Sequence, residues 1–524
     1  MQIVELDGNN LTVDLVKKVA DHWENPEEFQ VSISAEAVER VNRARKAVEG
    51  FVEREEIIYG ITTGFGDFKD KIIPLDQVQQ LQRNIILSHG TGVGPSLNNS
   101  IVRAMMVVRL HTFLKGHSGV RIEVIDSLVQ MVNKGVYPVV PAKGSLGASG
   151  DLAPLAHVAQ VLLGEGAANH KGGTLSGAEA MRVAEIPVIS PEAKEGLALT
   201  NGTSLLTAVG ALAVYKAEQL IPISDIIAAM SIEAMRGTLQ AFDPRIHAVR
   251  AHPGQEASAK YIHWLLEGSQ LMRGFDPLDV QDPYSMRCTP QVHGSARDTI
   301  THAKKVIEIE LNSAVDNPLI FIDENEKATC LSGGNFHGEP VAIPMDNLKV
   351  GLAEFANISE RRLARLVDEK ANRGVLPPFL TNDGGLNSGF MMVQYSSAAL
   401  VSENKVLAHP ASVDSIPSSA NTEDHVSMGT IAARQAFEIA ENVEYVLALE
   451  LFAAVQALDF RLQDAIKQNI EVRMGKGTQA AYQTVREVIP FIEYDSVMHP
   501  HIEAARELIV SGKLLAAVRS AMQD

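Results

Sequence analysis

The chain has 524 residues, 46% of them hydrophobic and only 5% aromatic, with a formal net charge of −18. A chain of this length buries a large core without staples, its aliphatic bias suits packed helices better than a β-sandwich, and its acidity repels phosphate backbones and so argues against nucleic-acid partners. Two cysteines, Cys288 and Cys330, make no disulfide framework.

Taken in chain order, residues 2–6 and 11–13 flank Asp7-Gly8-Asn9-Asn10 and predict a hairpin. The N-terminus has no basic region followed by an apolar one, so no signal peptide is expected. Helical patterning covers residues 35–52, and the glycine- and threonine-rich residues 59–66 read as a loop. Residues 143–154 form a second glycine-dense loop. Leu205, Val209 and Leu212 restart helical spacing, and Pro222 is expected to break or kink it. Val292, Ala296, Ile300, Ala303 and Ile307 define an apolar stripe, from which Arg297 and Asp298 should face away. Further helical patterns cover residues 346–368 and 428–460, with a short hairpin predicted between 319–322 and 328–331. The most apolar stretch, residues 446–458, is interrupted by Glu450, so no membrane-spanning helix is expected and a cytoplasmic protein follows. Composition divides the chain into an N-terminal region, 1–204, rich in polar loops, and a helical region, 205–524.

Several signatures fail. Gly90-Thr91-Gly92-Val93-Gly94 resembles a phosphate loop, but Pro95 stands where the dinucleotide fingerprint needs its third glycine. Gly147-Ala148-Ser149-Gly150-Asp151 resembles a nucleophile elbow, with Asp151 in place of the last glycine. There is no H-E-x-x-H, and His247 and His252 are five residues apart, so no catalytic metal is expected.

Gly144-Ser145-Leu146-Gly147-Ala148-Ser149-Gly150-Asp151-Leu152-Ala153-Pro154-Leu155 resembles the signature of the histidine and aromatic amino-acid ammonia-lyases. Tyr59-Gly60-Ile61-Thr62-Thr63-Gly64-Phe65-Gly66 is similar to that family's tyrosine loop. Asn201-Gly202-Thr203, Gln281-Asp282-Pro283-Tyr284-Ser285-Met286-Arg287 and Gly334-Asn335-Phe336-His337-Gly338 match further motifs in the family's order. The resemblance implies a mainly α fold of the fumarase/aspartase-like superfamily, with a long central helical bundle, glycine-rich loops in the N-terminal region and small β-hairpins. It also implies a homotetramer whose active sites draw on more than one subunit.

It further implies a 4-methylideneimidazol-5-one electrophile, formed from the Gly150 nitrogen, the Ala148 carbonyl and the Ser149 side chain with loss of two waters; no nucleotide is expected. Glycine permits the compressed backbone this needs. An α-amino acid is a poor substrate for elimination, because its amine leaves badly and its β-proton is weakly acidic. Capture of the amine by an electrophile makes it a better leaving group. By resemblance Tyr59 is the base, and because a phenol near its ordinary pKa of about 10 is a weak base at neutral pH, its site must favour the phenolate. Arg287 is the carboxylate clamp, suited by its planar fork. Asn201 and Tyr284 support the ring and the developing charge, and Gln281 and Phe336 line the pocket.

Two positions bear on substrate. Leu87-Ser88-His89-Gly90 carries the Ser-His pair of histidine-specific members, where phenylalanine- and tyrosine-specific members show Phe-Leu or His-Leu, and His89 can hydrogen-bond a polar ring. Glu423, in Thr422-Glu423-Asp424-His425-Val426, matches a glutamate of the histidine-specific members. Its carboxylate can accept an imidazole N–H, and against a plain phenyl ring it would be desolvated for no return. Thr422 departs from the glutamine usual there. L-Histidine is therefore the expected substrate and trans-urocanate the product. A tyrosine or aromatic lyase or a 2,3-aminomutase of the same family is the alternative. A silent structural homologue is expected to lack Ser149, Tyr59 or Arg287, and all three are present.

Overall fold

In the computed structural model, which describes residues 1–523, Thr12 overrides the predicted first hairpin. Its hydroxyl accepts the Leu15 N–H at 3.2 Å and so caps a helix, Val13–Asp21. Residues 11–13 are thus unavailable as a strand, and Gln2–Leu6 pairs instead in parallel with Phe29–Ile33, from Gln2 opposite Phe29 to Leu6 opposite Ile33. Residues 2–6 do form a strand, but the cap three residues before Leu15 decides its partner.

The described residues form nineteen α-helices and nine short strands. Ala35–Glu53 begins at a Ser34 cap as its pattern predicts. Leu319–Ile322 and Ala328–Leu331 form the expected antiparallel hairpin. The longest helices are Ser204–Ala234, Thr289–Leu311, Glu339–Val367 and Gly429–Lys467. Ser204–Ala234 runs on through Pro222 rather than ending there. Proline removes one N–H and crowds one carbonyl, a local cost that burial of most of the helix outweighs. Ala296, Ile300, Ala303 and Ile307 are buried as the stripe requires, and Asp298 is exposed. Arg297 differs from its expected outward course, because its long side chain reaches back to pair with the buried Asp225 carboxylate.

The chain gathers into two compact units. One holds residues 1–215, 303–346 and 410–434; the other holds 216–302, 347–409 and 435–524. In the second, the Glu450 that interrupts the apolar stretch is fully buried and held from both sides. Arg362 donates from Nε at 2.6 Å and from Nη2 at 2.9 Å, and Ser231 Oγ donates at 2.7 Å. A bidentate partner is what makes a buried carboxylate tolerable. No helix among the described residues is long and apolar enough to cross a membrane, and both cysteines are free. The first unit carries the glycine-rich loops that shape the site.

Candidate active site

The tyrosine loop is held by its own threonines. Thr62 Oγ1 donates to the Glu56 carbonyl at 2.6 Å and accepts the Ile58 N–H at 2.9 Å, while Thr63 Oγ1 accepts the Gly60 N–H at 3.2 Å. These local bonds replace secondary structure and fix the segment that bears Tyr59. Its chain returns at Gly66, whose φ is +56° and where an added Cβ would lie 2.5 Å from Ser419 Oγ. The Gly66 N–H donates to the Tyr59 phenol oxygen at 3.3 Å. Burial nevertheless dominates and pushes the Tyr59 pKa above its ordinary value. The Gly66 N–H opposes that rise and the nearby Glu423 charge adds to it. At this phenol desolvation thus outweighs one N–H donor.

The Ala148-Ser149-Gly150 backbone lies against Asn201-Gly202. The Gly202 N–H, at 3.1 Å, and Asn201 Nδ2, at 3.2 Å, both donate to the Ser149 carbonyl oxygen. Gly150 has φ +73°, and a Cβ there would fall 2.1 Å from the Gly202 oxygen, so only glycine fits. Asp151, fully buried, closes the loop. Its N–H donates to the Gly202 carbonyl at 2.7 Å, and its carboxylate accepts the Leu205 and Leu206 N–H groups at 2.8 and 2.9 Å, at the start of Ser204–Ala234. Ser145 and Thr430 hydroxyls donate to the same carboxylate. Burial raises the Asp151 pKa, and these four donors oppose the rise. A small-residue turn with two donors on its central carbonyl, and no space for a side chain at Gly150, fits a ring made from these three residues. The Asn201 Oδ1, on the same amide as the Nδ2 that holds the Ser149 carbonyl, is buried and without a hydrogen-bond partner.

Across the cavity, Glu423 ends a tight turn. Ser418 and Glu423 exchange backbone hydrogen bonds of 2.8 and 3.2 Å, and Ser419, Ala420 and Asn421 between them take left-handed backbone angles. Glu423 Oε1 accepts from Ser149 Oγ at 3.2 Å and Oε2 accepts from Ser418 Oγ at 3.3 Å. His89 is the last residue of Val78–His89, its Nδ1 3.0 Å from Ser88 Oγ. Burial lowers its pKa, against the Ile85 carbonyl and Glu423, so the ring is neutral at neutral pH.

Tyr59, His89, Ser149, Asn201, Phe336 and Glu423 line one cavity of about 1210 Å³. Ala148 and Gly150 carry the backbone on either side of Ser149. Thr422, the departing position, also lines it. Gln281, Tyr284 and Arg287 belong to the second unit and are not among the lining residues. There Asp282 accepts from Arg273 Nη2 at 2.6 Å and from the Thr238 N–H at 2.8 Å, fixing the segment. Arg287 lies 4.7 Å over the Tyr284 ring, and its Nε is buried without a hydrogen-bond partner. Reading by residue type missed Asp151, the Gly66 N–H and Ser418. The first makes no side-chain cap on the helix it precedes and instead holds the start of Ser204–Ala234, a long-range pairing that no local window of sequence shows; the second is a backbone group with no side-chain signal.

The family model for aromatic amino acid lyases matches residues 11–487, and the chain belongs to that family. A protein of Clostridium tetani named histidine ammonia-lyase is 52% identical over 522 residues, covering 99% of this chain and 98% of the relative. The crystal structure of histidine ammonia-lyase from Trypanosoma cruzi is 40% identical with a TM-score of 0.89, covering 99% and 96% of the two chains. The structure of tyrosine aminomutase from Streptomyces globisporus is 36% identical with a TM-score of 0.90, covering 99% of each. The mainly helical fold and the family implied by the sequence motifs both stand.

Proposed function

We propose that the protein is a carbon–nitrogen lyase that eliminates ammonia from L-histidine to give trans-urocanate. The observation that carries this is the cavity in which Glu423 Oε1 stands 3.2 Å from Ser149 Oγ, with Tyr59 and His89 in the same walls. A 4-methylideneimidazol-5-one made from Ala148-Ser149-Gly150 would supply the electrophile that turns the substrate amine into a leaving group. Asn201 Nδ2 and the Gly202 N–H hold the Ser149 carbonyl and are placed to stabilise charge on that oxygen. Glu423 accepts the N–H of the substrate imidazole, and neutral His89 offers a second polar contact to the ring. Phe336 excludes water from one side. Tyr59, once deprotonated, takes the β-proton at its phenol oxygen, with the Gly66 N–H stabilising the phenolate.

Arg287 clamps the substrate carboxylate, with Tyr284 and Gln281 beside it. The reading includes a cytoplasmic homotetramer in which these three residues come to each site from another subunit. The 52% identity to the Clostridium tetani protein supports the histidine assignment.

A second reading, a tyrosine 2,3-aminomutase, is favoured by the likeness to the Streptomyces globisporus structure, and Thr422 departs from the histidine-specific pattern. Incubation with L-histidine, L-tyrosine and L-phenylalanine in parallel, following ammonia, the unsaturated acid and any β-amino acid, separates the two. Urocanate and ammonia from histidine alone are expected. A β-amino acid, or turnover of tyrosine in preference to histidine, overturns the roles given to His89 and Glu423.

A further inference from the structure

Arg109, on the helix Asn99–Leu114, is 1% exposed. A buried guanidinium is costly unless its charge is used. Among the described residues it makes one hydrogen bond, from Nη2 to the Asn201 carbonyl oxygen at 2.8 Å, while its Nε and Nη1 are buried without hydrogen-bond partners. Its face lies 4.6 Å over the Phe113 ring. Burial pulls its pKa down to about 10, against the distant charges of Asp316 and Asp151, so it stays a cation at neutral pH.

The Asn201 carbonyl belongs to the same peptide unit as the Gly202 N–H, and that N–H donates to the Ser149 carbonyl oxygen at 3.1 Å. Gly202 has φ +132°, and a Cβ on it would meet Arg109 Nη1 and the Val315 carbonyl oxygen at 2.7 Å each, so guanidinium and peptide are pressed together. The order is guanidinium, peptide carbonyl, peptide N–H, Ser149 carbonyl. A charge-assisted bond to a peptide oxygen makes the N–H of that peptide a stronger donor, because hydrogen bonds in series polarise one another, most of all at low dielectric. We infer that Arg109 is a positioning residue that relays its positive charge through the Asn201-Gly202 peptide onto the Ser149 carbonyl. Arg109 itself touches no reacting atom. The inference rests on reading Ala148-Ser149-Gly150 as the precursor of the ring electrophile. A polarised Ser149 carbonyl serves that group twice: it acidifies the Ser149 Cα–H that must be lost as water leaves, and it draws electrons from the alkene so formed.

The test compares the full-length protein with Arg109→Gln, which removes the charge, and Arg109→Lys, which keeps it. Four quantities are followed: circular dichroism for folding, intact mass for the loss of two waters, the near-ultraviolet absorbance of the ring, and the rate at which cyanide, a small nucleophile, adds to it. Folded Arg109→Gln is expected either to retain water by mass or, with both waters lost, to show a shifted absorbance maximum and cyanide addition slower by about three- to tenfold. Arg109→Lys is expected to recover most of the rate even where its melting temperature falls, which a packing role alone would not produce. Folded Arg109→Gln with the full mass deficit, unchanged absorbance and unchanged addition rate overturns the inference. Should Arg109→Gln not fold, Arg109→Lys decides: addition within a few-fold of the parent supports the relay, and a folded lysine variant slowed by more than that overturns it. An unsubstituted protein that itself lacks the two-water deficit fails the ring reading instead.

Discussion

Tyr59 is subject to opposed influences, and their balance sets a pH dependence. A general base works only when deprotonated, and burial raises the Tyr59 pKa. The ascending limb of kcat/KM for histidine is therefore expected on the alkaline side of neutrality, rising as the phenol loses its proton. Because the Glu423 charge adds to that raised pKa, Glu423→Gln should move the limb toward lower pH while weakening use of histidine. Tyr59→Phe should lower kcat by about 10²- to 10⁴-fold, the range of a positioned base, with little change in KM. A pH profile of the three proteins checks this; a limb unmoved in Glu423→Gln would show that the carboxylate and the phenol do not sense each other. At this scale much of the site was legible because its chemistry needs particular side chains in particular strings. Ser149, Asn201 and Glu423 do meet in one cavity. Arg109 and the Gly66 N–H were not legible, since nothing in a local sequence window says that an arginine is buried or that a backbone N–H is aimed at a phenol.

At the scale of elements, the loops are shaped by close approach of backbone to backbone. Gly150 and Gly202 form a parallel bridge, and the 2.1 Å from an added Cβ at Gly150 to the Gly202 oxygen leaves no adjustment short of moving the backbone. Gly150→Ala is therefore expected to keep both waters by intact mass and to lose activity, in protein shown by circular dichroism to be folded. A Gly150→Ala protein carrying the full two-water deficit would mean that the loop yields more than its packing suggests. The same scale explains where periodicity misled. The stretch 2–13 has short apolar segments on both sides of a turn, yet one hydroxyl at Thr12 starts a helix and sends the first strand to a partner more than twenty residues away. Long helices were read well because burial repeats along them; Ser204–Ala234 ignored its proline because a single lost hydrogen bond weighs little against 31 residues of helix.

For the whole molecule, the informative feature is what the second unit leaves uncovered. Phe275, Leu278, Val280 and Tyr284 are 85%, 95%, 61% and 71% exposed, a density of exposed apolar side chains of the kind that association surfaces carry. This segment runs directly into Gln281, Tyr284 and Arg287, the proposed site residues that do not line the cavity of their own chain. Nor does sequence show where the chain passes between units, because the first unit takes back residues 303–346 and 410–434 from within long helical patterns. The exposed segment and the three residues outside the cavity are accounted for together if copies of the chain complete one another's sites, and subunit mixing tests this. Tyr59→Phe and Arg287→Ala proteins are each expected to be nearly inactive. Co-expressed in equal amounts, they should form mixed assemblies with about one quarter of sites intact if each site takes Tyr59 from one copy and Arg287 from another. Light scattering on the same preparation gives the subunit count. No recovery in preparations shown to be mixed would mean that each chain supplies both residues to its own site, and the exposed segment would then need another explanation.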